Sequence, residues 1–141
     1  MSSRESSSSC RNGVALVGHC GPDSWMLKSM VKRNLPDAKI VLINSENDLK
    51  KHLPSLRVLL VNRILDGRFE SEQGVDLIRT VAAQPESPPV SMLISNFADA
   101  QQAAEAAGAK RGFGKSELNS PAASERLQSA FTQREMWSRV E

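Results

Sequence analysis

Short apolar runs alternate with amphipathic segments along most of the chain, and this alternation constrains the fold more than any other feature. The runs are Val14-Ala15-Leu16-Val17, Lys39-Ile40-Val41-Leu42-Ile43, Val58-Leu59-Leu60-Val61 and Val90-Ser91-Met92-Leu93-Ile94, with a weaker fifth at residues 111–114. Each has the length of a strand, and each is apolar at consecutive rather than alternate positions. A strand that is apolar on both sides is buried on both sides, as in a parallel sheet covered by helices on its two faces.

The intervening segments carry helix signals. Residues 22–35 begin at Pro22, whose missing N–H costs nothing in a first turn, and put Leu27, Met30 and Val31 on one stripe. Ser45 is placed to cap a short helix that Pro54 ends. Residues 63–73 are polar and contain Asp66-Gly67, a turn signal. Residues 74–83 form a helix that faces inward with Leu77, Ile78 and Val81, and Pro85, Pro88 and Pro89 break it. Residues 99–107 are an Ala-rich helix with Gly108 at the left-handed cap position. Asn119 or Ser120 caps a last helix that has Pro121 in its first turn and Leu127, Ala130 and Phe131 on its buried side. The expectation is an α/β fold of five strands and five helices.

A chain of 141 residues has room for one such domain. The expected division is a disordered Ser-rich tail at residues 1–12, the domain at 13–135 and a short C-terminal tail at 136–141. The net charge of +2, scattered Lys and Arg, and 4% aromatics argue against a nucleic-acid surface, which needs a basic stripe and often stacking rings. Two cysteines, Cys10 and Cys20, make no disulfide framework, so a reducing cytoplasm is expected. No apolar stretch approaches the roughly 18 residues of a membrane helix, and the N-terminus has no signal-like hydrophobic region.

Parallel sheets of this kind carry their functional groups at the carboxyl ends of the strands. Here those ends are Gly18-His19, Asn44, Asn62, Ser95 and Lys115. Asn62 ends a wholly apolar strand. Gly114-Lys115-Ser116 ends like a phosphate-binding loop, but the required earlier glycine is Ala109. His19, Cys20 and His52 lack metal-site spacing, and adjacent His19 and Cys20 are badly placed as a catalytic pair. No catalytic set, cofactor or metal is therefore expected. Trp25, Phe97, Phe113 and Trp137 are candidates for an interaction surface, because exposed aromatics are enriched at interfaces. The alternative for them is that they cover the domain's own edges.

With these residues in order, the sequence resembles the receiver domain of bacterial two-component response regulators, of the chemotaxis-regulator type, over residues 13–132. Ser95 after the fourth strand, Ala107-Gly108-Ala109 and then Lys115, and a polar residue at Asn62 carry the resemblance. It implies a flavodoxin-like, three-layer fold with strand order 2-1-3-4-5. It also implies that Asn62 stands at the position of the phospho-accepting Asp, and that Gly18 and His19 stand where two acidic residues belong. Lys115 and Ser95 are then retained pocket residues. The family's Lys is followed by Pro, here Ser116; its rotating aromatic corresponds to Gly112, with Phe113 displaced by one. The loop from Asn62 to Gly74 is about four residues longer than usual.

Asn62 cannot form an acyl phosphate, Gly18 offers no ligand, and His19 is a soft ligand for magnesium. Asp23 falls one helical turn late and reads as a helix-start charge. Lys115 is expected to donate to the Asn62 amide oxygen; the alternative is that Lys115 and Ser95, with or without His19, bind an anion. The functional expectation is a phosphorylation-independent signalling module of a two-component-type pathway. It would act through a protein partner, or a second copy of the chain, by its fourth helix, fifth strand and fifth helix. No DNA-binding output domain is expected to follow, so the output is expected to run through the partner. An anion- or nucleotide-responsive domain using Lys115, and a small enzyme on the same scaffold, are the rival readings.

Overall fold

The computed structural model describes residues 11–84 and 87–140, with side chains described as far as residue 132. Five strands form one sheet: β1 (Gly13–Val17), β2 (Lys39–Ile43), β3 (Leu56–Asn62), β4 (Val90–Ile94) and β5 (Lys110–Phe113). All neighbours are parallel and the order is β2-β1-β3-β4-β5. The connecting helices are α1 (Gly21–Asn34), α2 (Glu46–His52), α3 (Gly74–Ala82), α4 (Ala98–Ala106) and α5 (Pro121–Val140).

Strand alternation splits the core in two. Val14, Leu16, Val58, Leu60 and Phe113 face one side with Leu27, Met30 and Leu127, which α1 and α5 supply. Ala15, Val17, Leu59, Val61 and Leu93 face the other with Leu49, Ile78 and Ala104 from α2, α3 and α4. Side chains buried this fully contribute roughly 1.5–3 kcal/mol each. β2 is an edge strand, and Leu42 on it is half exposed.

The caps follow from the sequence. Ser45 Oγ accepts from the Asp48 amide at 3.1 Å. Of the two candidates at the last helix, Ser120 is the cap, accepting from the Ala123 amide at 3.1 Å, while Asn119 accepts from Arg33. Gly108 has φ +113°, and the Ala109 and Gly108 amides close back onto Ala104 and Glu105.

One side chain bridges the irregular stretch of the weak fifth strand. Pairing of β4 with β5 is irregular between Met92 and Ile94. There the buried Gln101 of α4 donates to the Leu93 and Ser95 carbonyls at 2.9 and 3.1 Å and accepts from the Gly112 amide at 3.0 Å. Its amide supplies the rungs that the backbone ladder lacks.

Three expectations about boundaries and exposure need correction. Asn12, assigned to the tail, is tied to the body: its side chain donates to Asp37 O and its carbonyl accepts from the Lys39 amide. The last helix runs to Val140, through positions assigned to a C-terminal tail. Phe113 is 1% exposed and belongs to the core beside Ile94, so it is no part of an interaction surface. Residues 1–10 and the side chain of Trp137 lie outside the described residues. Among the described residues, no helix is long and apolar enough to cross a membrane.

Candidate functional site

The strand ends converge as the sequence requires, but the side chains there are arranged differently. At the end of β1, Gly18 adopts φ +74°, a left-handed conformation that strains any residue with a Cβ. Its amide donates to Ile43 O, and its carbonyl accepts from the Asp66 amide and from Asn62 Nδ2, each at 2.9 Å. A Cβ added at Gly18 would lie 2.6 Å from Leu65 Cδ2 and 3.1 Å from Leu65 Cα. The space that a carboxylate at this position would occupy is therefore filled by Leu65, itself buried.

Leu65 is held there by an organised loop. The Leu65 amide donates to Glu72 O, the Arg68 amide to Asn44 O, and Asn44 Nδ2 to Asp66 O. Glu46 accepts from the Glu70 amide at 3.0 Å, and isolated bridges join Ser45 to Arg68 and Ile64 to Gln73. The long polar stretch at residues 63–73 is thus a cover over the ends of β1 and β2. Asp66 marks its turn, with an exposed side chain.

His19 is 3% exposed. Its Nε2 lies 2.9 Å from Leu60 O, which can only accept, so Nε2 carries the proton and Nδ1 is a bare, buried and unpartnered acceptor. Burial disfavours the imidazolium and holds the pKa down at about 4, against the opposing pull of the Leu60 carbonyl; nearby Lys115 lowers it further.

Lys115 stands in a single 3-10 turn after β5. Its Nζ donates to Asp23 Oδ2 at 2.5 Å, with both side chains about a quarter to a third exposed. That bond holds the Asp23 carboxyl below its usual range. Two expectations are corrected here. Lys115 does not donate to Asn62, whose amide is turned to Gly18 O, and Asp23 is more than a helix-start charge. Asp23 lies in the first turn of α1 and reaches across the rim from there.

Ser95 is buried, and its Oγ accepts from the Phe97 amide at 3.1 Å. The adjacent Gly114-Lys115-Ser116 is no phosphate cradle. The Gly114 amide donates to Glu117, and the Ser116 amide and hydroxyl both donate to Asn96 Oδ1. Between β3 and β4 the rim opens into a cleft of about 270 Å³ whose lining includes Asn62, Arg63, Ser95, Phe97 and Lys115.

The fold has counterparts among solved structures. The structure superposes on the signal receiver domain of a DNA-binding response regulator from Colwellia psychrerythraea, with TM-score 0.66, 18% identity and coverage of 83% of this chain and 95% of that one. A putative response regulator from Chloroflexus aurantiacus gives 0.64 at 18% identity, covering 86% and 98%. The receiver domain of NtrX from Brucella abortus gives 0.58 at 16%, covering 86% and 96%. The fold is that of a response-regulator receiver domain. No family model matches the sequence, and no curated protein does.

The receiver fold raises the matter of a divalent cation, and the donors at its strand ends do not suit one. Gly18 has no side chain, His19 holds its proton toward Leu60, Asn62 offers a neutral amide, and Asp23 is engaged by Lys115. Among the described residues, no three His, Cys, Asp or Glu cluster to hold a metal ion. Hard cations require several oxygen donors, preferably anionic.

Arg63, which lines the cleft, and Leu65, which packs on Gly18, are the rim residues that sequence reasoning passed over. Their only signal was the added length of the loop that contains them.

Proposed function

We propose that the chain is a receiver-like signalling module of a two-component-type pathway that works by binding a protein partner and not by aspartyl phosphorylation. One observation carries this reading: the side-chain space at Gly18, the first of the two β1-end positions, is taken by Leu65. The chemistry is lost together with the space for it. Receiver structures of similar fold include a manganese-bound response regulator and a phosphorylated cyanobacterial phytochrome response regulator. In this chain Asn62 provides no carboxylate to accept a phosphoryl group, and the donor set provides no clamp for the metal that in-line transfer needs.

The partner is another signalling protein. Among the described residues, Trp25 at 70% exposure and Phe97 at 59% are the exposed aromatics available to it. The reading is of a binding module and not of an enzyme. The anion-responsive alternative loses its central residue, because the Lys115 charge is already matched by Asp23.

Incubation of the full chain with acetyl phosphate and magnesium tests the proposal. Intact mass spectrometry is expected to show no phosphoryl adduct. An adduct that disappears in Asn62→Ala or Asp66→Ala would overturn it.

A further inference from the structure

Two cations line the open cleft, and only one is matched. Lys115 pairs with Asp23. Among the described residues, no carboxylate pairs with Arg63, whose guanidinium lies 5.0 Å from the centre of the Phe97 ring. The cleft lining contains no carboxylate at all. Ser95 Oγ accepts from the Phe97 amide, which leaves its hydroxyl proton available as a donor. Phe97 and Ile64 are exposed on the rim.

The arrangement combines an unmatched positive charge, a hydroxyl donor and two bare apolar side chains. A small anion would satisfy the charge and leave Phe97 and Ile64 in water. A peptide with an apolar residue beside its carboxylate satisfies both, and arginine with an aromatic is the pairing over-represented where protein interfaces concentrate their energy. We propose that this cleft docks an acidic segment of a protein partner. The segment's carboxylate sits between Arg63 and Ser95, and an adjacent apolar side chain lies on Phe97 and Ile64. Arg63, and not Lys115, is the recognition cation.

This inference rests on the reading of the chain as a phosphorylation-independent binding module, and adds the chemistry of what is bound. Random peptides displayed on phage are selected on the full chain and, in parallel, on Arg63→Glu. The unaltered chain is expected to enrich peptides with Asp or Glu beside Leu, Ile or Phe, and the variant is not. Synthetic peptides from that set are expected to lose about tenfold in affinity for Arg63→Ala and for Phe97→Ala. They keep their affinity for Arg79→Ala, whose guanidinium already pairs with Asp76.

No enrichment, enrichment of peptides without carboxylates, or peptides indifferent to Arg63→Ala overturns the proposal. So does saturable binding of inorganic phosphate that Phe97→Ala leaves unchanged. A phosphoryl adduct from acetyl phosphate overturns the parent reading instead, so the two failures are distinguishable.

Discussion

At the ends of β1 and β3 the chain has turned its polar groups on itself. Gly18 O holds both Asn62 Nδ2 and the Asp66 amide, His19 is sealed against Leu60 O, and Leu65 fills the remaining space. On the other side of the rim, Lys115 after β5 and Asp23 of α1 stay partly in solvent, and Arg63 after β3 and Phe97 after β4 flank an open cleft. One side of the rim is packed under the loop around Leu65, and the other stays open to solvent, with half-buried Asn62 on the boundary between them. Substitutions should therefore act on stability in the first half and on binding in the second.

The largest effect is expected from restoring acids. In Gly18→Asp the new Cβ meets Leu65 and the left-handed backbone together, at a cost of about 3 kcal/mol. Urea unfolding measures it. The double variant Gly18→Asp with Asn62→Asp is expected to give no phosphoryl adduct with acetyl phosphate and magnesium, because Leu65 and the loop that holds it stay in place. A double variant that is stable and phosphorylated would break the comparison, since the sealed half would then have been only waiting for its acids.

Acid should act on the same half. The folded His19 titrates near pH 4, and an unfolded histidine near pH 6.5. Between those values the unfolded chain holds the proton and the native chain does not. The contribution of neutral His19 is thus complete above about pH 6.5 and lost progressively as the pH falls toward 4, by about 3 kcal/mol. Urea midpoints across that window measure the slope, and His19→Gln should flatten it. An unchanged slope in the variant would place the acid sensitivity elsewhere.

The sealed half was the less legible of the two in the sequence. Apolar runs gave four of the five strands, their parallel pairing and most of both core layers, because strands covered on two faces are apolar at consecutive positions. Caps at Ser45 and Gly108 were equally plain, since each satisfies backbone groups within a few residues. The Leu65 contact with Gly18 joins a loop to a strand end 47 positions away in the chain, and no local periodicity encodes it. The same holds for Lys115 with Asp23, whose partners are 92 positions apart. Phe113 misled for a different reason. In a four-residue strand containing Gly112, pattern alone cannot assign a face, and Gln101 rather than the backbone ladder sets the local geometry.

The smallest effect on stability is expected from Asp23→Asn. The ion pair it removes is partly exposed, so Coulomb attraction is screened and the loss at neutral pH should stay below about 1 kcal/mol. Because the Asp23 carboxyl is held below its usual range, what contribution it makes is present at neutral pH and disappears as the pH falls through its folded value. Binding should move further than stability. Freed from Asp23, Lys115 becomes a second unmatched cation beside Arg63, and acidic peptides selected on the unaltered chain should bind Asp23→Asn more tightly, most clearly at low salt. Peptide titrations at two ionic strengths read this directly. A gain in affinity with little change in urea midpoint identifies Asp23 as the residue that limits positive charge in the open half. A large loss of stability with no gain in affinity would instead make the pair a structural tie, and the open half would then be locked by internal contacts in the same way as the sealed one.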